Sequence, residues 1–253
     1  MSALTPFFLD GPDGKHLRGD RAVGQVRQIL FITGFLSKRW GNKSQALAQW
    51  CQEQGWGFCC YDVRGFGDSE GQFTDYTLSD WLTDARTVLE SMKSGPPITV
   101  VGNSLGSWIA WLVAQEYCTV DELLLIAPAF NMMGKRAKII SKDRLHHWHT
   151  AGWLPWDDDP LHRDWPLSWK WVEESERYWA RTFDVTRHVK TTILHGLHDT
   201  VIAPEGSRHF ADELCRRVPG FPIDLRLVQG DHRLSGPEHL ELLRRLVLRE
   251  ASC

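Results

Sequence analysis

The sequence predicts an α/β fold: a mostly parallel, doubly wound sheet with helices on both faces and one helical insertion. Three observations predict it. Short apolar, β-favouring runs alternate with helical patterns along 253 residues. One run passes without a loop through Gly-Asn-Ser-Leu-Gly into a helix, in ITVVGNSLGSWIAWLVAQE (98–116). An aspartate and then a histidine follow the ends of later runs. Strands buried on both faces read as continuous apolar segments, and alternation with helices is the pattern of parallel crossover units.

Taken in order, FFLDGPDGKHL is a hairpin turned at Pro12, Asp13 and Gly14. Strands are expected at 28–35, 57–63, 98–101, 122–127, 191–195 and 223–228, each bounded by Gly, Pro or Asp. Helical patterns occupy 44–54, 78–92, 105–116, 204–217 and 237–249. Ser235 and Glu238 have the spacing of a capping box at the start of the last helix. Between about 130 and 179 the rhythm breaks into a Trp-, His- and Asp-rich stretch with no strand pattern, read as a lid because idle loops of that length are uncommon in compact domains.

Composition narrows the function. A content of 42% hydrophobic and 24% charged residues suits one domain spanning 1–253 with a sizeable core. A net charge of -3, with Lys and Arg scattered, leaves no footprint for nucleic acid or an anionic membrane. The beginning, MSALTPFFLDGPDGKHLRGD, carries no basic n-region followed by a long apolar stretch, and no later window is apolar enough to span a bilayer. A soluble, cytoplasmic protein is expected. Six cysteines without CxxC spacing fit reduced thiols. Nothing in the sequence speaks to oligomeric state.

Parallel strands point their carboxyl ends to one edge, where α/β proteins bind ligands. Ser104 falls at that edge. Turning from strand to helix in so few residues strains the serine backbone, and Gly102 and Gly106 remove the Cβ atoms that would clash. Gly106, Ala110 and Ala114 then form a narrow face that lets the helix approach the sheet. A tight turn carrying an inert serine is the plainer alternative. A hydroxyl needs a base, and the base an acid. Asp199, in ILHGLHDTVIAPE, and His232, in LRLVQGDHRLSGPE, both follow later strands, in the chain order Ser, Asp, His. His195 and His198 are read as satisfied polar or loop residues, and Asp231 as a solvated turn residue. The backbone N–H groups of Leu105 and of Phe35, in FITGFLSKRWGNKS, are the candidate oxyanion donors; an ordinary strand-end turn is the alternative for Phe35.

YDVRGFGDSEG lacks the third glycine of a dinucleotide loop and the lysine of a phosphate loop, so it reads as a tight turn. His146, His147 and His149 fit no zinc spacing, and Asp157, Asp158 and Asp159 read as a solvated loop; no metal is expected. The tryptophans of the insertion, Trp153 and Trp156 among them, are either lid packing or an apolar roof over an acyl group.

With these motifs in register the chain resembles the α/β-hydrolase superfamily over nearly its whole length. TGFLSKRW, GNSLGSW, LHGLHDTVI and GDHRLS narrow the likeness to a branch containing a mitochondrial palmitoyl-protein thioesterase that also cleaves an acyl glucuronide. The resemblance implies an α/β-hydrolase fold, Ser104, Asp199 and His232 as the triad, Phe35 and Leu105 as oxyanion donors, and an acyl ester or thioester as substrate; the tryptophan-rich insertion adds the expectation of an apolar acyl group. The expectation is therefore a cofactor-free serine hydrolase. A short-peptide or C–C hydrolase on the same triad, and a non-catalytic ligand-binding module, are the alternatives.

Overall fold

A computed structural model describes residues 3–156 and 165–249. Strands β1 (Thr5–Asp10) and β2 (His16–Ala22) form the expected antiparallel hairpin, and β2 pairs antiparallel with β4 (Gly57–Tyr61). The remaining pairs of the large sheet are parallel: β4 with β3 (Gln28–Ile32), β3 with β5 (Ile98–Asn103), β5 with β6 (Val120–Ile126), β6 with β9 (Lys190–Gly196), and β9 with β10 (Ile223–Val228). Strand order is β1-β2-β4-β3-β5-β6-β9-β10, the mostly parallel sheet of an α/β-hydrolase fold.

Each central strand feeds two cores because successive side chains alternate across the sheet. On β3, Leu30 and Ile32 join the face covered by α2 (Leu78–Met92) and α3 (Leu105–Ala114). Ile29 and Phe31 join the opposite face, packed under α1 (Asn42–Gln54) and α8 (Pro237–Leu248). Helix α2 buries Leu78, Trp81, Leu82, Ala85, Val88, Leu89 and Met92, the spacing of one helical stripe. It starts at Thr77, whose N–H donates to the Asp80 carboxylate at 2.8 Å. Helix α7 (Glu205–Arg217) flanks β10.

Several boundaries differ from expectation for identifiable reasons. Strand β3 stops at Ile32 because the chain turns there, closed by Ser37 N–H to the Gly34 carbonyl at 3.2 Å. The last helix is capped at Gly236, not by a Ser235 box: the Ser235 hydroxyl donates to the Arg233 carbonyl at 3.0 Å, and Pro237 begins the helix. The insertion between β6 and β9 contains α4 (Met132–Ile139), α5 (Lys142–Ala151) and α6 (Lys170–Arg181), but also an antiparallel pair, β7 (Trp153–Pro155) and β8 (Pro166–Ser168). Three-residue strands, one ending and the other beginning with proline, are too short to leave a readable period. Asp157, Asp158 and Asp159 lie outside the described residues, as does Cys253.

The stretch YDVRGFGDSEG is a tight turn after β4. Gly65 and Gly67 take positive φ, 78° and 65°, and a Cβ on Gly67 would fall 2.3 Å from the Asp62 carboxylate. That carboxylate accepts the Asp68 N–H at 3.0 Å and pairs with Arg39, which also reaches Asp20 at 2.7 Å and Asp68 at 2.8 Å.

Candidate active site

Four parallel strand ends converge at one edge: β3 delivers Phe35, β5 delivers Ser104, β9 delivers Asp199 and β10 delivers His232. Ser104 has φ 54° and ψ -119°, a conformation costing a non-glycine residue on the order of 1–3 kcal/mol. Backbone contacts hold it there. Its N–H donates to the Ile126 carbonyl at 2.8 Å, and its carbonyl accepts from Ser107 at 3.0 Å and Ala129 at 3.1 Å. The flanking glycines are required by close approach: a Cβ on Gly102 would lie 2.5 Å from the Ser107 Cα, and one on Gly106 2.3 Å from the carbonyl oxygens of Ile32 and Thr33.

Asp199 and His232 are brought together by loops laced across the ends of β9 and β10. Leu197 N–H donates to the Val228 carbonyl at 2.7 Å and His198 N–H to the Gly230 carbonyl at 2.9 Å. The Asp231 carboxylate accepts the N–H groups of Arg233 and Leu234 at 3.0 and 3.1 Å, a turn that fixes the backbone around His232. His232 Nδ1 lies 2.6 Å from Asp199 Oδ2, and its Nε2 3.1 Å from Ser104 Oγ. The carboxylate accepts only, so Nδ1 carries the proton and Nε2 presents a lone pair to the hydroxyl.

Burial pushes the Asp199 carboxyl up, but hydrogen bonds from His195, His232 and the Ile202 N–H outweigh it and hold the group well below the usual carboxylate range. Its second oxygen accepts Val201 N–H at 2.9 Å and Ile202 N–H at 2.7 Å. Asp199 is therefore ionised and fixed.

His195 goes beyond the satisfied polar role read from the sequence. Fully buried, it places Nε2 3.0 Å from Asp199 Oδ2 and 2.9 Å from the Ile202 carbonyl, both acceptors, so Nε2 carries the proton; Nδ1 accepts the Ser207 hydroxyl at 2.7 Å. The available signal was a histidine ending an apolar strand four residues before the aspartate.

Phe35 and Leu105 flank the serine. A Cβ on Gly34 would sit 3.2 Å from the Ser104 Cβ, so the turn bearing Phe35 runs alongside it. Among the described residues neither the Phe35 nor the Leu105 N–H has a protein acceptor. The Phe35 ring packs between Trp81 (5.8 Å), Trp156 (5.3 Å) and Trp171 (5.5 Å), tying the insertion to this turn. Trp153 is 47% exposed and meets His147 edge-on at 5.8 Å. His149 meets Trp169 edge-on at 5.0 Å.

A family model described as serine aminopeptidase, S33, matches residues 26–151. The chain is 27% identical to the mitochondrial palmitoyl-protein thioesterase ABHD10 of Mus musculus, over 93% of this chain and 79% of that protein. The solved structure of alpha/beta hydrolase domain-containing protein 10 from mouse superposes with a TM-score of 0.83 at 24% identity, covering 97% of each chain. A putative hydrolase from Agrobacterium vitis S4 superposes with a TM-score of 0.81 at 22% identity, covering 98% of each. The cytoplasmic location expected from the sequence is overturned by the thioesterase relatives, which are mitochondrial proteins; the sign used, the want of a basic leader, says nothing of residues that precede a given stretch. No helix among the described residues is long and apolar enough to cross a membrane. Sheet order and these likenesses agree: the chain has the α/β-hydrolase fold and is similar to hydrolases of that superfamily.

Proposed function

We propose that this protein hydrolyses carboxylic esters or acyl thioesters through an acyl-enzyme on Ser104. The contact chain from Ser104 Oγ to His232 Nε2 (3.1 Å), and from His232 Nδ1 to Asp199 Oδ2 (2.6 Å), is the observation that carries this reading. His232 takes the hydroxyl proton as Ser104 attacks the carbonyl carbon; Asp199 holds the imidazole and balances the imidazolium. The Phe35 and Leu105 N–H groups receive the oxyanion, an interaction of the kind worth on the order of a hundredfold or more in rate per donor. The imidazolium protonates the leaving group, and a water activated by the same nitrogen releases the acid.

The described residues of the 130–179 insertion act as a lid whose aromatic side roofs an apolar acyl group. Trp156 against Phe35 supports this reading, and it predicts preference for medium or long acyl chains over acetate. The thioesterase name of the Mus musculus relative favours a thioester. The serine aminopeptidase family description favours a second reading, cleavage of short peptides by the same residues.

One octanoyl group presented as ester, thioester and amide separates these. Turnover of ester or thioester that vanishes in Ser104→Ala supports the leading reading, and faster amide cleavage supports the second. Equal turnover by wild type and Ser104→Ala rejects both.

A further inference from the structure

Beside the turn that carries Gly34 and Phe35, the end of β3, the first turn of α1 and the segment after His232 line an open cleft of about 270 Å³. Gly34 and Asn103 line it, and a Cβ on Gly34 would touch both the Ser104 Cβ and the Asn103 side-chain amide at 3.2 Å, so the cavity and the serine share a wall. Three cations, Lys38, Lys43 and Arg233, line it with no carboxylate among the lining residues.

The charge is only weakly answered. Lys43 is 8% exposed, and its ammonium donates to two neutral acceptors, the Arg233 carbonyl and the Ser235 hydroxyl. Burial pulls that ammonium down to about 8, with Asp231 acting the other way and Arg233 adding to the fall. One Asp231 oxygen already receives two backbone N–H groups. Asp68, the acid that senses Lys38, is held by Arg39 at 2.8 Å. The first turn of α1 contains no acidic residue, so its free N–H groups add positive potential to the same cavity.

A carbonyl seated on Ser104 has two substituents, and the two surfaces that adjoin the Gly34–Phe35 turn differ in kind. An apolar chain gains by meeting the half-buried Phe35 and Trp156 and gains nothing among hydrated cations. We infer that the cavity lined by Lys38, Lys43 and Arg233 is a subsite for an anionic group, carboxylate or phosphate, carried on the leaving-group side of the substrate. The inference rests on the ester or thioester reading above.

The test compares kcat/KM for octanoate esters of three phenols: 4-hydroxybenzamide, 4-hydroxybenzoate and 4-hydroxyphenyl phosphate. Wild type is measured beside the double variant Lys38→Met, Arg233→Gln, which changes two exposed side chains, and beside Lys43→Met. The double variant is expected to lower the anionic-to-neutral ratio about tenfold, the scale of one lost charge-assisted contact. The anion with the larger wild-type ratio is the one the subsite takes. A ratio that is the same in wild type and both variants overturns the subsite while leaving the hydrolase reading intact. No turnover of any ester above that of Ser104→Ala removes both.

Discussion

The elbow around Ser104 and the insertion between β6 and β9 are built on different principles. At the elbow, backbone hydrogen bonds and close backbone approach fix every atom: Ser104 is tied through its own N–H and carbonyl, and Gly102 and Gly106 leave no room for a Cβ. Among the described residues the insertion's strand ladder is the internal three-residue pair β7–β8, and it meets the body through side chains: Trp81 on Trp171 at 4.9 Å, Phe73 on Trp165 at 4.9 Å, and the Glu174 carboxylate accepting the Ser79 N–H at 2.8 Å. A site that must hold three side chains within hydrogen-bonding distance needs the first kind of construction. A wall that must fit an apolar group tolerates the second.

That contrast can be broken by substitution. Ser104→Ala and His232→Ala carry the largest expected effect, a fall in kcat of order 10⁵-fold or more, read by steady-state hydrolysis of an octanoate ester with folding checked by circular dichroism. A fall under tenfold contradicts the proposed roles. Gly106→Val comes next: its Cβ would press on two strand carbonyls, so a loss of about 3 kcal/mol or more is expected in urea unfolding. His195→Leu is expected to cost about 1–3 kcal/mol, because it strips a donor from Asp199 and leaves the Ser207 hydroxyl and the Ile202 carbonyl unpaired. A neutral result would show that none of the three bonds is worth its desolvation.

In the insertion the effects are smaller and of another kind. Trp156→Ala is expected to lower the octanoate-over-acetate preference about tenfold while costing about 1–2 kcal/mol of stability, since the ring is half-buried. A loss of all activity would mean the insertion also sets the geometry at Ser104. The smallest effect is a pH dependence. Because folding holds the Asp199 carboxyl below its unfolded value of about 3.9, its stabilisation is complete above that value and is lost as pH falls below it towards the folded value. The stability gap between wild type and Asp199→Asn, read from urea midpoints, is therefore expected to narrow from pH 6 to pH 3. A constant gap contradicts the assignment.

The same contrast explains what could be read from the sequence. The sheet was legible because β5, β6 and β9 are buried on both faces over short apolar runs, 100–101, 123–126 and 193–194, and the elbow because a sharp strand-to-helix turn admits few residues beside Gly102 and Gly106. The strand-end placement of Ser104, Asp199 and His232 was legible because the first two follow such strands, His232 follows the half-buried strand β10, and their order is itself a pattern. His195 reads from the sequence as a satisfied polar or loop residue, because the local pattern does not say which partner a strand-end histidine takes. The Ser235 cap failed because a serine before Pro237 can turn back to Arg233 as readily as forward. The pair β7–β8 was too short to show a period, and the partners of Trp156 lie far off in the chain. The cationic cavity was invisible because Lys38, Lys43 and Arg233 come from two separate segments that only the sheet edge brings together.

The central claim is that Ser104 is made nucleophilic by His232. Labelling with a fluorophosphonate, followed by peptide mapping of the adduct, tests it most directly. The account predicts a single adduct on Ser104, formed in wild type and slowed at least on the order of a thousandfold in His232→Ala. An adduct elsewhere in the chain, or equal labelling rates in the two proteins, would contradict it.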